Sequence, residues 1–109
     1  MKRIKINLTP HPIVFMDEGG NIIEKIPPSG VVARASQREE KIGEIDGLPV
    51  YKMEFGEVEN LPEPNEGTIY IVSLATAQAC PEREDVFVPA HPIRDEQGRI
   101  IGCRALAHV

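Results

Sequence analysis

Apolar and polar positions alternate from the start of the chain. Ile4, Ile6 and Leu8 fall on one face and Lys5 and Asn7 on the other, the period of two that a half-buried strand requires. Pro10 and Pro12 interrupt this pattern, because proline has no N–H to give a ladder. Ile13 to Met16 and Ile22 to Ile26 are two β-rich runs joined by Asp17-Glu18-Gly19-Gly20-Asn21. Those linking residues tolerate positive φ, so the pair predicts a hairpin. Pro27-Pro28-Ser29-Gly30 predicts a second turn and Val31 to Ser36 a third strand.

The strongest local signal is Asp46-Gly47, a pair suited to a type I′ turn, flanked by Ile42 to Ile45 and Val50 to Phe55. In the returning strand, Tyr51, Met53 and Phe55 fall on one face and Val50, Lys52 and Glu54 on the other. Gly56 to Gly67 is acidic and carries two prolines, which predicts an exposed connection. Thr68 to Val72 is a nearly continuous apolar run, expected for a strand buried on both faces. Ser73 then suits the N-cap of a short helix over about 73–80, which Pro81 helps to end. Val86-Phe87-Val88 predicts another strand. Pro92 to Arg94 and Arg99 to Leu106 predict a last hairpin around Asp95-Glu96-Gln97-Gly98. The expected class is α+β and mostly β: short antiparallel strands and hairpins with one short helix.

Composition narrows this further. With 109 residues there is room for one domain, 1–109, and one core. The net charge of −5 is uneven. Met1 to Gly56 holds eight basic and eight acidic residues, while Glu57 to Asp85 sets seven acids against Arg83 alone. An acidic chain without a basic stripe argues against nucleic acid as a partner, since Lys and Arg supply most of that affinity. The basic start Lys2-Arg3-Ile4-Lys5 is too short for a signal peptide and no long apolar run follows it. A cytoplasmic protein without a membrane partner is expected. Cys80 and Cys103 are the only cysteines, and the expectation is two reduced, partly buried thiols.

Several chemistries lack their residues. His11-Pro12-Ile13 and His91-Pro92-Ile93 each precede an Asp-Glu pair, a glycine and a double isoleucine. This is either one turn chemistry used twice or two hairpins in comparable places, with His11 and His91 comparably placed as well. Phosphoesterases with two His-x-Thr/Ser motifs place a hydroxyl where Ile13 and Ile93 stand. Cys80, Asp85, His91, Cys103 and His108 form no C-x-x-C or H-x-x-x-H unit, so no metal is expected. The glycines make no phosphate loop or dinucleotide fingerprint, and no cofactor is expected.

The region from Ser73 to Arg104 carries the candidate site. A buried strand ending in Ser73 and opening a helix directs N–H groups at a ligand's anionic end. Arg83, Arg94 and Arg104 are candidate bidentate donors, His91 a switchable donor, and Asp85 an acceptor for a hydroxyl; His11 joins them if the two His-Pro segments meet. The competing account pairs these arginines with Glu82, Glu84, Asp95 and Glu96 on the surface.

Four segments, Asn7 to His11, Ile26 to Gly30, Gly67 to Ser73 and Arg94 to Cys103, together resemble a family of short uncharacterised proteins of tailed phages and prophage-bearing bacteria. The resemblance spans Asn7 to Leu106. It implies a phage-type accessory protein in host cytoplasm that interferes with a host machine or sequesters a host signal, and it assigns no catalytic residue. The expected function is a non-enzymatic binding module with anti-defence character, holding a phosphorylated nucleotide-like signal or a host protein. Alternatives are a small nucleotide hydrolase or lyase using a histidine as general acid or base, and a structural component that pairs through a strand edge. A homo-oligomer fits all three, since a thin sheet needs cover for its second face.

Overall fold

The computed structural model describes residues 3–109, the Phe55 side chain excepted; Met1, Lys2 and the facing of Phe55 lie outside the described residues. Among the described residues eight strands and one helix follow one another: β1 (Ile4–Asn7), β2 (Ile13–Met16), β3 (Ile22–Ile26), β4 (Arg34–Ile45), β5 (Leu48–Glu59), β6 (Thr68–Ile71), α1 (Leu74–Ala79), β7 (Val86–Arg94) and β8 (Ile100–Ala107). The fold is α+β and mostly β, with the single helix at the expected place. No helix of the described residues is long and apolar enough to cross a membrane.

Six strands form one sheet in the order β1-β6-β7-β8-β2-β3, and β4 and β5 form a second, two-stranded sheet. The hairpins β2–β3, β4–β5 and β7–β8 are antiparallel as their turn residues predict. The pairs β1–β6, β6–β7 and β8–β2 are parallel. Each parallel pair joins segments distant in sequence or separated by α1, so no local turn signal reports it. Val86-Phe87-Val88 and Pro92 to Arg94, expected as separate strands, run together as β7. Ile42 to Ile45 and the second half of the expected Val31–Ser36 strand likewise merge within β4, which begins at Arg34 and leaves Val31, Val32 and Ala33 outside any strand. β5 continues through Gly56 to Glu59, so the exposed acidic connection is shorter than expected and begins at Asn60.

β6 is the keel of the larger sheet, with all four residues buried as its apolar run predicts. One face of it carries Tyr70, with Val72 just past its end, into a cluster with Leu8, Ala33, Ala77, Cys80, Val86 and Val88, beneath α1. Ile71 points the other way, into a smaller cluster with Ile13, Ile26 and Cys103. Both cysteines are free and buried, and burial raises both thiol pKa values.

The arm made by β4 and β5 departs from this packing. Its strands have 12 residues each, and every described side chain from Ser36 to Pro49 is exposed. A domain of about 100 residues has a radius of gyration near 13 Å; here it is 16.8 Å, with extents of 52 × 39 × 23 Å. Asp46 (φ 51°) and Gly47 (φ 80°) make the turn at the tip, both with the positive φ of type I′.

The repeated His-Pro-Ile segments resolve into repeated turn chemistry. Asp17 Oδ1 accepts from the N–H groups of Gly19 and Asn21, each at 2.9 Å. Asp95 Oδ1 accepts in the same way from Gln97 at 2.8 Å and Arg99 at 2.9 Å. In both turns the fourth residue, Gly20 or Gly98, has positive φ (83° and 80°). The hairpins differ in their surroundings: β7–β8 is flanked on both sides within the sheet, whereas β2–β3 ends it.

Candidate ligand-binding site

The turn from β1 to β2 is held by one buried side chain. Asn7 is 1% exposed. Its Nδ2 donates to the carbonyls of His11 (2.8 Å) and Ile26 (3.1 Å), and its Oδ1 accepts from Thr9 N (2.9 Å) and Thr9 Oγ1 (2.7 Å). All four hydrogen-bonding positions of the amide are used. The result fixes Thr9 and His11 beside the end of β6. The alternation of β1 identified Asn7 as polar; that it turns inward to serve three backbone groups depends on β3 arriving from 19 residues away.

At the end of β6, Ser73 caps α1, its Oγ accepting from Thr76 N at 3.4 Å and sharing a hydrogen bond with Thr76 Oγ1 at 2.9 Å. Buried Thr76 donates onward to the Ala33 carbonyl at 3.1 Å, tying the helix to the segment that enters β4. The cap forms as expected. With α1 only six residues long, and Ser73 Oγ already serving it, the helix start is not by itself an anion site.

Two clefts border this turn and the start of α1. The first, of about 510 Å³, is floored by Ile13, Val72 and Val88, walled by Pro12, Leu74, Pro92 and Ile101, and has His11 at its rim. Apolar side chains dominate it. The second, of about 490 Å³, is bordered by Leu8, Pro10, Val32, Arg34, Gln37 and Thr76. Thr9 and Ser73 line both. Arg34 is exposed and has no carboxylate within ion-pair distance among the described residues. Gly102 brings the strand backbone close at the cleft wall: a Cβ there would stand 2.7 Å from Met16 Sδ and 3.0 Å from the Val14 carbonyl.

Of the seven residues the sequence suggested, Ser73 and His11 line these clefts. The others are spread over the molecule. Arg83 forms a bidentate pair with Asp85, Nε to Oδ1 at 2.8 Å and Nη2 to Oδ2 at 2.9 Å, while Nη2 also donates to the Pro62 carbonyl at 2.9 Å. Hydrogen bonding to Arg83 lowers the Asp85 pKa, and the same contact raises that of Arg83. This pair clamps the 60–67 connection to the start of β7. Arg94 donates to the Gly98 carbonyl at 2.8 Å and closes the β7–β8 turn. Arg104 is exposed on β8, near enough to Asp17 to help lower its pKa, which falls chiefly through the Asn21 N–H bond. His91 is exposed in mid-β7 at φ 55°. It is Pro92, its neighbour, that lines the cleft, so the two His-Pro segments share one cleft through Pro12 and Pro92.

The residues missed by sequence reasoning are Thr9, Arg34, Leu74, Ile100 and Ile101. Ile100 (60% exposed), Ile101 (46%) and Leu74 (55%) are large apolar side chains at the surface. Their signal was present in the Ile-Ile return strand, but exposure is a property of the assembled sheet. Among the described residues no group of three or more His, Cys, Asp or Glu is placed to hold a metal. Compared with family models, curated proteins and solved structures, the chain matches none.

Proposed function

We propose that this protein is a non-catalytic binding module that sequesters a small nucleotide-like ligand across the two clefts. The observation that supports this reading is that Thr9 and Ser73 border both clefts. Clefts of about 300–1,000 Å³, mostly apolar with a few convergent polar groups, are the usual form of small-molecule sites. The apolar cleft suits a planar base against Pro12, Leu74, Pro92 and Ile101, with His11 and Thr9 at its edge. The second cleft supplies the guanidinium of Arg34 and the amide of Gln37, chemistry suited to a phosphate. The arginines first suggested for this role, Arg83 and Arg94, are engaged in holding the fold. On the resemblance to small phage proteins, the ligand is a host signal removed from circulation in the host cytoplasm.

Two substitutions test the reading. Leu74→Glu puts a carboxylate at the mouth of the apolar cleft, at the first position of α1, where an acid suits the helix dipole; the fold is retained and binding is lost. Arg34→Ala removes one charge-assisted contact of about 1.5–3 kcal/mol, weakening a nucleoside phosphate about 10–100-fold. Titration calorimetry with a panel of nucleoside mono- and cyclic phosphates reads both. Binding that survives Leu74→Glu unchanged refutes the site. A ligand recovered chemically altered after denaturation replaces sequestration by catalysis.

A further inference from the structure

The arm has two open edges, and the one formed by β5 is complementary to itself. Its central run is Tyr51-Lys52-Met53-Glu54-Phe55. Set antiparallel to a second copy with Met53 opposite Met53, Lys52 of each copy faces Glu54 of the other, and Tyr51 stands at the register position of Phe55. Both charged residues are exposed, and within one chain their Nζ–Oε1 contact of 3.3 Å joins side chains more than half exposed, where such a pair contributes little.

The backbone permits this register. The two-residue turn pairs Ile45 with Leu48, and from there the alternation of an antiparallel ladder turns the N–H and C=O of Leu48, Val50 and Lys52 towards β4. Those of Tyr51 and Met53 turn to the open edge, so Met53 meets Met53 as a hydrogen-bonded pair and Lys52 meets Glu54 as the closer, non-bonded pair. Charges on an edge strand ordinarily repel a second strand; on β5 their order attracts a reversed copy.

We propose that β5 is a dimerisation strand, through which two copies join antiparallel about Met53 into a four-stranded ribbon β4-β5-β5-β4. Two strands alone are marginal in water, and three or more with an apolar face are needed for independent stability. Tyr51 (50% exposed) and Met53 (54%) occupy one face of the ribbon and Lys52 and Glu54 the other, so pairing doubles the apolar face. The proposal is independent of the ligand-binding reading, because none of these residues lines either cleft.

Charge exchange tests it on the full chain by sedimentation between about 1 and 100 μM, a range that brackets micromolar association. Lys52→Glu alone and Glu54→Lys alone each place two like-charged pairs across the axis and weaken self-association about tenfold or more. Mixing the two variants restores opposite charges at both places, and a heterodimer forms at close to the wild-type affinity. Circular dichroism checks that each variant is folded. Separately, Met53→Cys under mild oxidation gives a covalent dimer, since facing Cα atoms about 5.5 Å apart match disulfide geometry, whereas the wild type, whose two thiols are buried, does not. A wild type that stays monomeric at 100 μM, single variants that associate as the wild type does, or a mixture that shows no recovery overturns the proposal; association with those results points to another surface or a different partner.

Discussion

The six-stranded sheet and the two-stranded arm spend their apolar residues in opposite ways. In the larger sheet, Thr68, Ile69, Tyr70 and Ile71 are buried on both faces of a strand that has neighbours on either side. In the arm, Ile42, Ile45, Leu48, Tyr51 and Met53 are each at least 50% exposed, on strands that pair only with each other. Both stretches have the composition of strands. A buried strand needs apolar neighbours above and below it; Val58 at the base of the arm packs against the core, whereas residues 36–49 are exposed throughout. The apolar side chains of its outer part therefore contribute little to folding and are available for association, while the sheet supplies the stability and, with Arg34 and Gln37 at the base of β4, the clefts.

The sharpest way to break this contrast is a pair of truncations. Ile71→Ala leaves a cavity at a site that is 0% exposed and should cost about 3–5 kcal/mol in urea unfolding. Met53→Ala, measured at submicromolar concentration, should lie within about 0.5 kcal/mol of wild type. Equal costs would mean that the arm is packed against something within its own chain.

Next in size is Asn7→Leu. It removes the donors to the carbonyls of His11 and Ile26 and the acceptor for two Thr9 groups. Leaving buried polar groups unmatched should cost about 2–3 kcal/mol, and it should loosen Thr9 and His11 at the clefts. Hydrogen exchange is expected to speed up from Leu8 to Ile13 and to leave β4 and β5 unchanged. Exchange rising equally in the arm would show that the two regions are not separable.

The smallest effect concerns pH. The folded-state pKa of Asp85 is lowered, first by its hydrogen bonds to Arg83. Its contribution is therefore complete above the ordinary carboxylate pKa of about 3.9, and is lost as pH falls through the lower folded value. Acid titration followed by NMR should show the 60–67 connection, held through Pro62, loosening below pH 4 together with Asp85. In Asp85→Asn that pH dependence disappears. Persistence of the same transition in the variant would assign it to another acid.

Local signals carried much of this architecture. Alternation gave β1, the Asp-Gly pair gave the tip of the arm, the Thr68–Val72 run gave the buried strand, and Ser73 with Pro81 gave the limits of α1. The length of the arm was not readable, because Arg38-Glu39-Glu40-Lys41 has no apolar period; the chain stays extended there because β5 pairs with it. The parallel pairings of β1 with β6 and β2 with β8 depend on contacts remote in sequence. The candidate site divides in the same way. Ser73 and His11 sit beside turns and caps that the sequence announces, and both reach the clefts. Arg83, Asp85, Arg94 and Arg104 were grouped by proximity in sequence, but the run of β7 and the turn into β8 separate them. Arg34 joins the site only because Thr76 draws the Ala33 segment against α1.

Native mass spectrometry of protein purified gently from an expressing host, set beside the denatured mass, tests the separation of roles most directly. The account predicts a wild-type dimer carrying excess mass of nucleotide size, a Leu74→Glu dimer without that mass, and a Lys52→Glu monomer that retains it. Loss of ligand and of dimer together in either variant would contradict the account, showing that cleft and arm belong to one site.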